Sequence, residues 1–199
     1  MDLSPVRLEG DRVLLEPMLF DHLDALAAAG AFEELWRWTR DRAMTIESMR
    51  RYMEAALADA GQGTARPFVT IDRVSERVVG STRFGNIDPF NRRVEIGWTW
   101  ITPEFQRSHV NTEAKYLMLR HAFEAWDCVR VELKTDVLNE KSRNAMLRLG
   151  ATEEGVFRKH MLTQGGRFRD TVYFSILDTE WPATKNRLEA QLRRSGRGT

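Results

Sequence analysis

The chain has 199 residues, 42% of them apolar, which is enough for one substantial core but short for two. Thirty basic and 29 acidic residues give a formal charge of +1, so the strongly positive field that attracts nucleic acid is missing. The single cysteine, Cys128, excludes an intrachain disulfide, and no cysteine and histidine cluster has zinc spacing. We therefore expect one domain over residues 1–194, a disordered tail over 195–199, and neither a metal nor a nucleic-acid partner.

Hydropathy along the chain indicates neither export nor a membrane span. Residues 1–17 contain charged side chains where a signal peptide needs an apolar run, and no stretch approaches the ~20 apolar residues of a spanning helix. We expect a cytoplasmic protein with no membrane partner.

Apolar spacing and turn residues predict an alternation of strands and helices. In chain order, the predicted elements are a strand at 12–16, helices at 21–29, 31–38 and 46–60, strands at 68–72, 78–84 and 94–101, a helix at 112–126, a strand at 129–135, a helix at 141–149, a hairpin around Gly165 and Gly166, a last strand at 171–176, and a basic helix after Pro182. Asp21, Thr45 and Asn111 are the expected N-caps, and Gly30 and Gly150 the expected helix stops.

The order of these elements predicts an α/β fold of the mixed-sheet kind. The three strands between residues 68 and 101 form an antiparallel meander, whereas one helix connects strand 94–101 to strand 129–135 and makes those two strands parallel neighbours. We expect a central, mostly antiparallel sheet of about seven strands with helices on both sides.

Two polar segments follow the two predicted parallel strands. The first leads into helix 112–126 and consists of Gln106, Arg107, Ser108, His109, Val110, Asn111 and Thr112. A helix start offers free N–H groups and a positive dipole end, which suits a pyrophosphate, although an ordinary capped helix would look the same. The second segment carries Asn139 and Ser142, which either border a ligand crevice or merely cap the helix that follows.

Two longer runs carry a family resemblance. EIGWTWITPEFQRSHVNTEAKYLMLRHAFE (95–124) and RVELKTDVLNEKSRNAMLRLGATEEGVFRKHM (130–161) resemble the core of GNAT acetyltransferases. NTEAK at 111–115 is similar to the RimJ/RimL-type branch, which acetylates protein N-terminal amines, and the likeness extends over roughly residues 10–190. The resemblance implies the GNAT fold, acetyl-CoA as cosubstrate, and direct attack of an amine on the thioester.

By this resemblance, the pyrophosphate loop Q/R-x-x-G-x-G/A falls on residues 106–111, where His109 and Asn111 replace a glycine and a small residue. Glycine permits positive φ and a close approach to phosphate, and asparagine tolerates that geometry better than histidine. The resemblance also implies that the splayed strand, including Trp100 and Ile101, polarises the thioester through its backbone. Asn139 would bind the pantetheine arm, and Ser142 would lie near the sulfur.

The chemistry requires a neutral amine and a proton for the departing thiolate. The resemblance makes Glu95 the candidate base, acting through water, and Ser142 the proton donor; the alternative for Glu95 is an ion pair with Arg92 or Arg93. His160 is a competing base because its pKa suits proton removal. Cys128 has no base beside it and is better interpreted as a structural thiol.

The acceptor is left open between a protein N-terminal amine and a small amine such as an amino sugar, polyamine or amino acid. A sensor that binds CoA without turnover is a third possibility, because His109 departs from the phosphate-loop pattern. Trp36, Trp38 and Arg40 are candidates for the acceptor wall, although such aromatic residues often belong to a core. By analogy with the family, a homodimer would be unsurprising.

Overall fold

The computed structural model describes residues 1–163 and 165–195. Its centre is a sheet of eight strands. The strands are β1 (Leu8–Glu9), β2 (Val13–Pro17), β3 (Arg66–Asp72), β4 (Arg77–Asp88), β5 (Arg93–Ile101), β6 (Arg130–Asp136), β7 (Thr152–Leu162) and β8 (Phe168–Leu177). The predicted fold class is confirmed, and the strand in excess of the predicted seven is the two-residue β1.

The strands lie in the order β1-β2-β3-β4-β5-β6-β8-β7. Every neighbouring pair is antiparallel except β5 and β6, which are parallel as the crossover through one helix predicts. The hairpin of β7 and β8 therefore folds back so that β8, and not β7, pairs with β6.

Helices cover both faces of this sheet. They are α1 (Leu23–Gly30), α2 (Ile46–Gly61), α3 (His109–Arg120), α4 (Glu140–Leu149) and α5 (Trp181–Ser195), with 3-10 turns at Phe20–His22, Glu33–Trp36 and Pro103–Phe105 and a π-helical turn at His121–Ala125. The predicted helical piece at 31–38 is thus only the 3-10 turn Glu33–Trp36.

Of three predicted helix ends, those at Thr45 and Gly150 are confirmed and the one at Asp21 is wrong. Thr45 accepts a hydrogen bond from the Ser48 backbone N–H at 3.2 Å and caps α2 as predicted. Gly150 ends α4 in the left-handed conformation, with φ of +88°, also as predicted. Asp21 is not an N-cap, because it lies inside the 3-10 turn and α1 follows from His22 without a side-chain cap.

The start of α3 was predicted wrongly. The helix begins at His109, and its N-cap is Ser108, whose Oγ accepts a hydrogen bond from the Val110 backbone N–H at 3.2 Å. Asn111 therefore lies within the first turn. Both residues are good caps. Ser108 caps the helix because its backbone is extended, as an N-cap requires, and because Gln106 binds the preceding loop to the sheet at Ile101.

Two hydrophobic clusters lie on opposite faces of the sheet. The larger one joins α3 and α5 to strands β4, β5, β6 and β8 and is centred on Phe84, Leu117 and Phe174. The smaller one joins α1 and α2 to the sheet and includes Trp36 and Trp100. Because α1 and α2 pack over β3 and β4, they leave the polar side chains of β6 and β8 on that face partly open.

Two further predictions concern membranes and the carboxyl terminus. No helix of the described residues is both long and apolar enough to span a membrane. Helix α5 runs to Ser195, and the other positions of the predicted tail, 196–199, lie outside the described residues.

Candidate active site

A wedge-shaped gap between β5 and β6 is the central feature of the candidate site. The two parallel strands pair over only three positions, the last of which joins Glu95 and Glu132. Beyond that pair β5 continues to Ile101 and β6 to Asp136, but the two strands no longer pair with each other. Unpaired backbone N–H and C=O groups therefore face the gap, and a ligand with amide groups could satisfy them.

A β-bulge makes β5 turn away from β6. The register between β4 and β5 shifts between the pairs Ser81–Trp100 and Arg83–Gly97, and Trp98 has a φ of +50°. Such a conformation is unusual for a bulky residue and marks a locally strained backbone. The Trp98 ring lies over Gly85, where any side chain larger than hydrogen would collide with it.

The loop at the open end of the gap is fixed by side-chain contacts to the sheet. Gln106 Nε2 donates to the Ile101 carbonyl at 3.0 Å, and Arg107 has a φ of +60°. The backbone at Arg107 thus adopts the left-handed conformation without a glycine. The first turn of α3 follows at once, so the N–H groups that have no partner inside the helix come directly after this loop.

The side chain of His109, at the end of this loop, is bound to the sheet. Its Nε2 lies 2.9 Å from Oδ1 of Asp72, a buried carboxylate on β3. Burial alone would raise the pKa of Asp72, but hydrogen bonds from Ser75 and His109 outweigh it and lower that pKa. The imidazole at the position where the family pattern has glycine is therefore directed toward β3 and held by Asp72.

The second predicted segment meets the first at the same end of the gap. Asn139 Oδ1 accepts from the Ser142 backbone N–H at 3.2 Å and caps α4, as either interpretation of the sequence requires. Lys141 Nζ donates to Gln106 Oε1 at 3.3 Å and so links the start of α4 to the loop before α3. The Ser142 hydroxyl has no partner within the described residues and is half-buried.

Glu95 lies on β5 at the point where the strands separate. It is 2% exposed, and its Oε2 accepts from Asn86 Nδ2 at 2.6 Å and pairs with Lys134 Nζ at 2.7 Å. The expected alternative partners were wrong, because Arg92 pairs with Asp127 and Arg93 with Asp88 and Glu132. Glu95 is thus a buried carboxylate held by one cation on the neighbouring strand.

A family model described as an acetyltransferase (GNAT) domain matches residues 12–152, more than half of the chain. The chain belongs to the GNAT acetyltransferase family. It is 38% identical over 106 residues to YdaF of Bacillus subtilis (strain 168), a protein described as a candidate ribosomal N-acetyltransferase; the match covers 53% of this chain and 57% of YdaF.

Solved structures give the same result over nearly the whole chain. A GCN5-related N-acetyltransferase from Brucella melitensis is 34% identical, with a TM-score of 0.88 over 95% of this chain and 86% of the other. RimJ of Mycobacterium smegmatis, solved with CoA-disulfide, has a TM-score of 0.83 over 95% of this chain and 96% of RimJ; at 23% identity it supports the fold alone. GNAT enzymes use acetyl-CoA, and the described residues contain no cluster that could hold a metal ion.

The second candidate base of this GNAT acetyltransferase lies on the same sheet face as Glu95. His160 is exposed on β7, and its ring lies 5.4 Å from that of Phe157 and 5.8 Å from that of Tyr173. Partial burial and then the charges of Lys134 and Arg169 lower the pKa of His160. Since Tyr173 also contacts the Lys134 ammonium at 5.6 Å, the two candidate bases border one cluster of rings and charges.

The two tryptophans predicted for the acceptor wall differ in their surroundings. Trp36 is 3% exposed, packs against Tyr52 and Trp100, and donates from Nε1 to the Gly30 carbonyl at 2.8 Å. It is therefore a core side chain. Trp38 is half-buried, and its carbonyl accepts from Arg169 at 3.2 Å, which connects the segment before α2 to β8.

An open cavity of about 850 Å³ lies where β5 and β6 begin. Its wall includes Asn86, which holds Glu95, and the aromatic residues Phe157 and Tyr173. The bond from Arg130 lowers the pKa of Glu154 to about 2, so that this part of the wall is ionised. Glu95 thus lies where the two strands separate and is joined to the wall of this cavity through Asn86.

Sequence reasoning missed several side chains of this arrangement. Asn86 and Lys134 bind Glu95, and the rings of Trp98 and Tyr173 lie against the Lys134 ammonium, but these four residues belong to four different strands. The alternation of side chains along β6 predicts that Lys134 lies on the same face of the sheet as Glu132. The register between β5 and β6, which brings Lys134 to Glu95, cannot be predicted from the spacing of residues along the chain.

Proposed function

We propose that this GNAT acetyltransferase transfers an acetyl group from acetyl-CoA directly to the α-amine at the amino terminus of a protein or peptide. The observation that supports this best is the gap between β5 and β6, with Glu95 at its closed end and two helix starts at its open end. The names of YdaF and RimJ, which concern ribosomal acetylation and CoA, agree with the proposal.

The open end of the gap fits a bound cosubstrate. Residues 106–112 offer the positive start of α3 to the pyrophosphate, with Arg107 as an additional exposed cation. The unpaired edges of β5 and β6 present N–H and C=O groups to the amides of the pantetheine arm, and Asn139 lies at the same end. When bound, acetyl-CoA supplies a thioester whose carbonyl carbon is open to attack by an amine.

The acceptor amine needs only modest help to lose its proton. At pH 7 roughly a tenth of an α-amine with pKa about 7.7–8.0 is neutral, against a few parts in ten thousand for lysine with pKa about 10.4. The buried Glu95 carboxylate attracts the ammonium into the site and, through water, receives its proton. A weak base of this kind suffices for an α-amine and is poorly suited to lysine.

The remaining steps are assigned to the bulge and to α4. Backbone N–H groups of β5 at the bulge stabilise the negative charge that develops on the thioester oxygen. The Ser142 hydroxyl, which is free of other partners in the described part of the chain, gives a proton to the departing thiolate and takes up the proton that the attacking nitrogen loses, so that it ends the step as a hydroxyl. A covalent acyl-enzyme on Cys128 is disfavoured, because this thiol is 1% exposed and burial raises its pKa to about 11.

The acceptor chain beyond its amine is proposed to lie in the cavity next to Glu95. Phe157 and Tyr173 offer apolar contact for a side chain, while Arg93, Arg130 and Glu154 offer hydrogen bonds to a peptide backbone. Trp38 borders the other side of the acceptor path, where Arg169 binds its carbonyl.

Matched acceptors test the proposal directly. The enzyme is incubated with acetyl-CoA and one of three acceptors, and thiol release is followed. The acceptors are a peptide with a free amino terminus, the same peptide blocked there but carrying an internal lysine, and an amino sugar. Turnover on the first peptide alone is expected. Turnover on the blocked peptide or on the sugar alone would contradict the α-amine assignment, and calorimetric binding of acetyl-CoA without any turnover would favour a sensor.

A further inference from the structure

Lys115, on the second turn of α3, is a buried amine that the mechanism above does not use. The residue is 5% exposed, and the described residues place no carboxylate within ion-pair distance of its Nζ. Burial lowers the pKa of Lys115 to about 7. An unpaired buried lysine is costly, and an apolar side chain of similar length would fill the same space at lower cost.

The Lys115 amine is bound by two threonine hydroxyls on neighbouring strands. It donates to Oγ1 of Thr82 on β4 at 3.1 Å and to Oγ1 of Thr99 on β5. These two hydroxyl oxygens are 2.8 Å apart. Since β4 and β5 lose their regular register between these positions, Lys115 bridges the two strands at the bulge.

Both threonines also reach the backbone of the bulge itself. The Gly97 carbonyl oxygen lies 3.4 Å from the Thr82 hydroxyl and 3.3 Å from the Thr99 hydroxyl, and it accepts from the hydroxyl whose proton does not join the two threonines. The next residue is Trp98, whose φ of +50° forms the bulge. A continuous chain of contacts thus runs from the amine through two hydroxyls to the peptide group that gives β5 its distorted shape.

The number of protons in this network suits a neutral amine. A neutral lysine has two N–H donors, and here they match the two threonine oxygens; one hydroxyl proton lies between those oxygens, and the other is left for the Gly97 carbonyl. An ammonium would bring a third N–H, for which the described contacts provide no acceptor. The described contacts therefore match two N–H donors rather than three.

We propose that Lys115 is a positioning residue for acetyl transfer, which holds the bulge of β5 through Thr82 and Thr99 so that its backbone N–H groups polarise the thioester carbonyl. Lys115 acts from the α3 face of the sheet and touches neither the cosubstrate nor the acceptor. This role rests on the proposed use of acetyl-CoA. It explains why an amine is retained where packing alone would favour an apolar residue.

The test is Lys115→Met, which keeps the length of the side chain and removes the amine. We expect kcat to fall by about tenfold to a hundredfold, because small displacements of polarising groups are expensive, with little change in KM for acetyl-CoA or acceptor. The melting temperature should stay the same or rise. Lys185→Met is the matched control, since Lys185 is a partly exposed lysine on α5 that pairs with Glu124, and it should retain wild-type kcat.

An infrared measurement separates positioning from mere packing. Acetyl-CoA labelled with ¹³C at the thioester carbonyl is bound without acceptor, and the carbonyl band is compared with that in water. The wild-type band should shift to lower frequency, and Lys115→Met should lose most of that shift. A wild-type shift that Lys115→Met keeps in full, or an unchanged kcat, would overturn the role of Lys115 alone. A wild-type protein that binds no acetyl-CoA would overturn the proposed function, and this role with it.

Thr99 provides a second perturbation if Lys115→Met does not fold. Thr99→Val removes the hydroxyl and keeps the shape, so it should reproduce the loss of kcat and of the band shift. Thr99→Ser restores the hydroxyl and should recover both. If the serine variant behaves like the valine variant, the hydroxyl is irrelevant and the proposal is wrong.

Discussion

Replacement of Glu95 by glutamine removes one charge from the candidate active site and little else. The amide keeps the shape of the carboxylate and can still accept from Asn86. It can no longer neutralise Lys134, whose ammonium lies 2.7 Å away and whose side chain is only 16% exposed. At this distance, with an effective dielectric constant of about 20, the lost attraction is about 6 kcal/mol. Desolvation of the two charges already offsets much of it, so we expect a net loss of about 2–3 kcal/mol in unfolding free energy.

The effect on catalysis should depend on pH in a way that identifies the acceptor. If Glu95 removes a proton from an α-amine, the variant at pH 7 can use only the roughly one tenth of acceptor that is already neutral, so kcat/KM falls about tenfold. The neutral fraction rises with pH and approaches one above about pH 9. The difference between variant and wild type should therefore nearly vanish there, from about tenfold at pH 7 to well under twofold.

Urea denaturation and pH profiles of kcat/KM on the free-terminus peptide measure the two effects separately. The double variant Glu95→Gln with Lys134→Met serves as the control for stability, because it leaves no buried unpaired charge and should regain most of the lost unfolding free energy without regaining activity. A loss of kcat/KM that stays constant between pH 6.5 and 9.5 would refute proton removal by Glu95. Full activity in the double variant would show that Glu95 serves only to neutralise Lys134.

Three other predictions follow from single contacts. Because the pKa of Glu154 is depressed to about 2, its stabilisation should be complete above about pH 4.5 and lost as pH falls toward 2; Glu154→Gln should show a smaller drop in urea midpoint between pH 5 and pH 3 than wild type. Gly150→Ala should cost about 1–3 kcal/mol, since the residue has a φ of +88° and a methyl group would collide with Arg187, whereas Gly61→Ala, at an open helix end, should cost nothing measurable by thermal melting. Ser142→Ala should lower kcat about tenfold to a hundredfold while calorimetry shows unchanged acetyl-CoA affinity; equal kcat would remove its assigned role.

Local patterns predicted the parts of this protein that depend on residues a few positions apart. Thr45 binds the Ser48 N–H, Asn139 binds the Ser142 N–H, and Gly150 ends α4, because in each case cap and helix are adjacent in the chain. The parallel pairing of β5 and β6 also followed, since a single helix between two strands returns the chain to the same end of the sheet.

The sequence predicts helix caps and ion-pair partners poorly where two nearby residues have side chains equally suited to the role. Ser108 and Asn111 are both good caps, and the choice between them depends on how the loop after β5 is held by Gln106 at Ile101. The alternative interpretation of Glu95, an ion pair with Arg92 or Arg93, is wrong about the partner for a related reason, because local spacing favours close neighbours over a residue on the adjacent strand.

The amino-acid pattern alone therefore predicts the order of the elements, most of their ends, and a resemblance to the GNAT family that the match over residues 12–152 confirms. Three contacts emerge only from the folded sheet: Lys134 faces Glu95, Trp98 forms the bulge, and the amine of Lys115 is buried against two threonines. These contacts join strands and helices through the register of the sheet, and a register depends on the packing of the whole domain rather than on the spacing of residues along the chain.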